Sequence, residues 1–100
     1  DNESPEIANL AVPSGATSGD TVVVSFDVNE LLAANPVVTI DGNTLGAPAQ
    51  IGNGGLTYTY EYMVNGSENT GYVEVIVTVQ DFVGNTSQAK THVIFDFNDP

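Results

Sequence analysis

A chain of 100 residues has room for one hydrophobic core and no second domain. Its thirteen acidic side chains face one lysine, one histidine and no arginine, a formal net charge of −12. This excludes phosphate-neutralising contacts with nucleic acid and polybasic contacts with a membrane surface. No cysteine is present, so neither a disulfide framework nor a thiolate metal site is available. No apolar run reaches the roughly 20 residues of a membrane helix.

Period-two patterning dominates from the first element to the last. Residues 6–12 form the first predicted strand. Residues 21–28 form the second, with Val22, Val24, Phe26 and Val28 on one face and Val23, Ser25 and Asp27 on the other. Asn29 to Ala34 is the one helix candidate, long enough for a single turn in the loop that follows. Pro36 opens a short third strand, 37–41, and 45–51 reads as an edge strand interrupted by Pro48. In 56–63, Leu56, Tyr58, Tyr60 and Tyr62 share a face that packs into the core. In 72–80, Val73, Val75, Val77 and Val79 point inward, and 87–95 closes the set. Turn chemistry separates the strands at Pro13–Gly15, Ser18–Asp20, Asp41–Asn43, Asn53–Gly55, Asn65–Ser67 and Gly84–Asn85. The expectation is an all-β, seven-strand antiparallel immunoglobulin-like β-sandwich over 1–95, with 96–100 as a linker or the start of a next copy. Asp1 and Pro5 recur as Asp96 and Pro100, the spacing of one such domain.

Alternating strand direction sends the loops to two poles. One pole gathers the chain start with the loops after the second, fourth and sixth strands, and with them Asp1, Glu3, Glu30, Asp81 and Asn85. The other receives Asp96, Asn98 and Asp99, the counterpart for a next junction. Carboxylates about 4 Å apart repel by about 4 kcal/mol per pair at an effective dielectric near 20. Ca2+ removes that repulsion and accepts six to eight oxygen ligands of this kind. The competing expectation is that the acids are solvated loop charges, with Asp81 a turn residue. On the calcium reading, Glu30→Gln and Asp81→Asn remove calcium stabilisation and leave the calcium-free melting temperature unchanged or raised.

No Ser nucleophile has a base partner, and the carboxylates lack an aromatic cleft, so the chain is read as not an enzyme. His92 and Lys90 fall on the outward face of the last strand. Lys90 is therefore expected to form no isopeptide cross-link, and the intact mass should equal the sequence mass.

Asp1-x-x-x-Pro5, Gly19-Asp20-Thr21-Val22, Glu30-Leu31 with Asn35-Pro36, Tyr58-Thr59-Tyr60, and Val77-Thr78-Val79-Gln80-Asp81 leading into Gly84-Asn85 together resemble bacterial Ig-like repeats. Such repeats occur in large adhesins, surface-layer proteins and modular secreted enzymes. The resemblance spans essentially the whole chain and implies an extracellular or cell-surface setting, with neighbouring Ig-like domains of the same bacterial or archaeal protein as partners. It implies a structural spacer; the alternatives are a glycan- or protein-binding adhesion module and an accessory domain of a secreted enzyme. Asn2-Glu3-Ser4 stands where the family often has a Thr- and Ala-rich linker, and the extra acid favours metal at the junction. The isolated domain is expected to be monomeric.

Overall fold

The computed structural model describes residues 5–65 and 71–96. The turn read at Asn65–Ser67 therefore runs outside the described residues beyond Asn65. Nine strands make up the described part: β1 (Ile7–Ala11), β2 (Gly15–Ala16), β3 (Thr21–Val28), β4 (Val37–Ile40), β5 (Asn43–Thr44), β6 (Gln50–Gly52), β7 (Thr57–Met63), β8 (Gly71–Gln80) and β9 (Thr86–Phe95). They build a four-stranded sheet, β1-β3-β7-β6, and a five-stranded sheet, β2-β9-β8-β4-β5. Every pairing is antiparallel except β2 with β9.

The inward positions read from the period-two pattern form the interior of this all-β sandwich. Val22, Val24, Phe26 and Val28 of β3 meet Val73, Val75, Val77 and Val79 of β8, with Val38, Ile40, Val93 and Phe95 completing the far sheet. Each buried valine contributes about 1.5–3 kcal/mol by leaving water. Tyr58 and Tyr60 are buried among them, and their rings lie near-parallel to Phe26 with centroids 5.8 and 6.1 Å away. The tyrosine face is thus core, with Tyr62 half-buried at its margin.

The first strand departs from plain alternation. Ile7 and Leu10, three residues apart, both pack against the core, which a regular strand cannot arrange. A bulge between Ala8 and Ala11 absorbs the extra residue, with Asn9 in the left-handed region at φ 56°. After Val12 and Pro13 the chain crosses to the other sheet, where β2 runs parallel to β9.

Two readings are corrected. Residues 45–51 do not form one strand. Asp41 and Gly42 both have positive φ (53° and 78°), which suits the two-residue turn between paired Ile40 and Asn43. This turn returns the chain as β5 in the five-stranded sheet. Pro48, which has no amide hydrogen, lies in the transit, and only Gln50–Gly52 pairs in the other sheet. Nor does Asn29–Ala34 contain a helical turn; the segment is irregular, anchored by buried Leu32 and by the Ala33 amide donating to the Gln80 carbonyl at 3.0 Å.

Candidate functional site

The two poles form as expected. At the first, the Glu6 amide donates to Asn29 Oδ1 at 2.8 Å and the Asn29 amide to the Glu6 carbonyl at 3.2 Å. The Val28 amide donates to the Leu56 carbonyl at 2.8 Å. Together with the Ala33–Gln80 bond, these contacts gather the chain start, loop 29–36, turn 53–56 and loop 81–85. At the other pole the Gly19 amide donates to the Val64 carbonyl at 2.8 Å, and the Asp96 amide to the Ala16 carbonyl at 3.0 Å.

Of the candidate metal ligands, Asp1, Glu3, Asn98 and Asp99 lie outside the described residues. Glu30 is half-buried in loop 29–36, and Asp96 is exposed at the opposite pole. Asp81 and Asn85 are brought together, and they are joined to each other. The Asp81 carboxylate, only 2 % exposed, accepts from the Val83 amide at 3.0 Å, the Asn85 amide at 2.9 Å and Asn85 Nδ2 at 3.1 Å. The Asp81 amide in turn donates to the Asn85 carbonyl at 3.0 Å. Burial alone would raise the Asp81 pKa. The bonds from Asn85, with those from the Val83 and Gly84 amides, outweigh it and hold the carboxyl below its usual range. Its oxygens are the internal acceptors of a five-residue loop. Among the described residues, no group of three or more His, Cys, Asp or Glu side chains converges as a metal ion requires.

A polar network not singled out in the sequence crosses the outer face of the four-stranded sheet. Asn9 Nδ2 donates to Asp27 Oδ2 at 2.7 Å, the Thr57 hydroxyl to Asp27 Oδ1 at 2.8 Å, and Asn53 Nδ2 to the Thr57 hydroxyl at 2.8 Å. The Asn9 bond, then the Thr57 bond, lowers the Asp27 pKa against a small opposing effect of desolvation. Asp27 and Thr57 are register partners, so the chain ties β1, β3, β7 and the turn before β7 together. Period-two reading places Asp27 outward; its partners depend on register. Beside this network, Gln50, Ile51, Gly52, Thr57 and Thr59 line a shallow depression that contains no titratable group.

The loop built by Asp81 holds Phe82 and Val83 out in solvent, 71 % and 64 % exposed, with Leu31 exposed at the same pole. On the outer face of the five-stranded sheet, Tyr72 is 72 % exposed and stacks on His92, centroids 4.0 Å apart and planes 18° from parallel. The tyrosine hydroxyl reaches His92 Nδ1 at 2.8 Å. No protein-family model, curated protein or solved structure matches the chain.

Proposed function

We propose that this chain is a non-catalytic, immunoglobulin-like spacer module of a secreted or cell-surface bacterial or archaeal protein, repeated in tandem and stiffened by Ca2+ at its junctions. One observation carries the reading. β1 opens at one pole and β9 closes at the other, in a body whose extents are 52 × 21 × 20 Å. Units of this shape joined end to end add length with little bulk. The strand order, with the first segment divided between the two sheets, supports the immunoglobulin-like part. Exposed Leu31, Phe82 and Val83 at the entry pole offer a neighbouring unit apolar surface to cover.

The described residues do not by themselves fit a complete calcium site, because the Asp81 and Asn85 side chains already serve their own loop. In the proposal Glu30 is the available carboxylate of this pole. Asp1, Glu3 and the Asp96, Asn98 and Asp99 of a preceding copy complete the set. The test is a protein of two copies in tandem, melted and measured by small-angle scattering with calcium and with chelator at constant ionic strength. Binding at ~10 times Kd adds about 1.4 kcal/mol, which raises the melting temperature by several degrees. Glu30→Gln should abolish the rise, and magnesium should substitute poorly. Identical melting and scattering with and without calcium would end the calcium part. Two units folded side by side would end the spacer reading.

A further inference from the structure

The sheet edges of this molecule are short or irregular, with one exception. β5 and β6 pair over two and three residues, and β1 is bulged around Asn9. Such features blunt an edge against further pairing. β9 is different. It pairs with β8 over all ten of its residues without a register shift, and on its other side β2 covers only Ile94 and Phe95. There the Ile94 amide donates to the Ser14 carbonyl at 3.1 Å and the Asp96 amide to the Ala16 carbonyl at 3.0 Å. Backbone groups alternate sides along a strand, so Thr86, Gln88, Lys90 and His92 turn their N–H and C=O groups the same way as Ile94. Among the described residues, no backbone group pairs with them on that side. The inward side chains of this stretch, Ser87, Ala89 and Thr91, are only half-buried, whereas Val93 and Phe95 beyond it are fully covered.

We infer that this edge pairs antiparallel with the β9 edge of a second copy, in a two-fold dimer that joins the two five-stranded sheets into one. Edge length dictates the register. Centred on Ala89, it sets Gln88 opposite Lys90 of the second copy and Thr86 opposite its His92, so that all four outward residues of each copy exchange both backbone bonds. A slip in either direction leaves some of them unpaired. The same register keeps the two Lys90 side chains from standing directly opposite each other, where like charges repel. Two further observations select a second copy as the occupant. Among the described residues, β9 is the one edge of matching length. The copies each carry −12 and repel over most of their surface, but β9 contains no carboxylate, and its Lys90 offsets Glu74 of the neighbouring strand. A second copy therefore meets least repulsion here. A single strand pair is a small interface, so the association is weak and the dilute chain stays monomeric. Antiparallel pairing joins separate chains running in opposite directions, and the inference is independent of the end-to-end spacer reading.

The test is sedimentation equilibrium of the whole chain from ~10 μM to ~1 mM, with hydrogen exchange of the backbone amides measured at both ends of that range. The mean mass should rise from one chain toward two, and the amides of Thr86, Gln88, Lys90 and His92 should exchange more slowly in the associated state. Sodium chloride should strengthen the association, because it screens repulsion between like-charged copies. Lys90→Glu gives each edge a carboxylate and should weaken the dimer about tenfold or more. Glu74→Gln removes the nearest carboxylate and should tighten it several-fold. Both side chains are exposed, so the dilute variants should melt like the parent. A single-chain mass up to ~1 mM, a dimer whose edge amides are not slowed, or a dimer indifferent to Lys90→Glu would each overturn the inference.

Discussion

The Tyr60 hydroxyl, buried in the sandwich, donates to the Pro36 carbonyl at 2.6 Å. Burial, then the neighbouring Tyr58, raises its pKa from 10.0 to about 12. The fold thus holds the neutral phenol. The stability this contributes is whole below pH 10 and drains as pH rises toward 12. An absorbance titration should show one tyrosine ionising late, together with loss of structure. Tyr60→Phe leaves the Pro36 carbonyl without its donor and should cost about 1–3 kcal/mol, read as a lower urea midpoint at unchanged slope. Asp27 has the opposite sign. Its lowered pKa contributes stability above the ordinary value of 3.8, lost as pH falls through the folded-state value. Asp27→Asn sets an amide donor against Asn9 Nδ2, so the variant should melt lower than the parent at pH 7. The two should converge as pH falls below 3.8 and through the lowered folded-state value; a gap that stays constant on acidification would show the carboxylate is not the group involved. Asp81→Asn is expected to behave likewise. Its hydrogen bonds reverse the expectation that this substitution is neutral or stabilising without calcium, because one oxygen becomes a donor facing Asn85 Nδ2.

Strand β8 lies between β9 and β4, with Val77 fully buried at its centre. Val77→Ala should cost roughly 1–3 kcal/mol through lost burial and a cavity. Val23→Ala, on the solvent face of β3, should cost under about 1 kcal/mol. Equal losses in urea unfolding would contradict the two-faced pattern. The 81–85 loop adds a backbone test. Gly84 has φ 95°, and a Cβ there would meet nothing nearer than Gln80 Nε2 at 4.0 Å. Gly84→Ala therefore has room but not conformation, and should lose about 1–2 kcal/mol.

For the molecule as a whole, a net charge of −12 means self-repulsion in the compact state. Sodium chloride should raise the melting temperature over the first few tenths molar, as the screening length falls below about 10 Å. That rise is independent of calcium chemistry, which is why the calcium comparison requires constant ionic strength. A melting temperature insensitive to salt would mean that the carboxylates are already too dispersed to interact.

The sequence by itself determined the all-β class, the inward faces of β3, β7 and β8, and the gathering of loops at two poles. Each follows from period-two patterning plus antiparallel connection, which are local properties. Tertiary structure decided whatever depends on register or on a choice between equal local options. Asp41-Gly42 could close a loop or a hairpin, and pairing of Ile40 with Asn43 decided it. Asp27 reads as a solvated charge until Asn9 and Thr57 arrive from other strands. Asp81 is an oxygen donor set that could serve a cation or its own loop. In the folded loop its oxygens accept from the Val83 amide, the Asn85 amide and Asn85 Nδ2. Tyr72 and His92 are twenty residues apart and meet only because β8 and β9 pair with Tyr72 opposite Ile94.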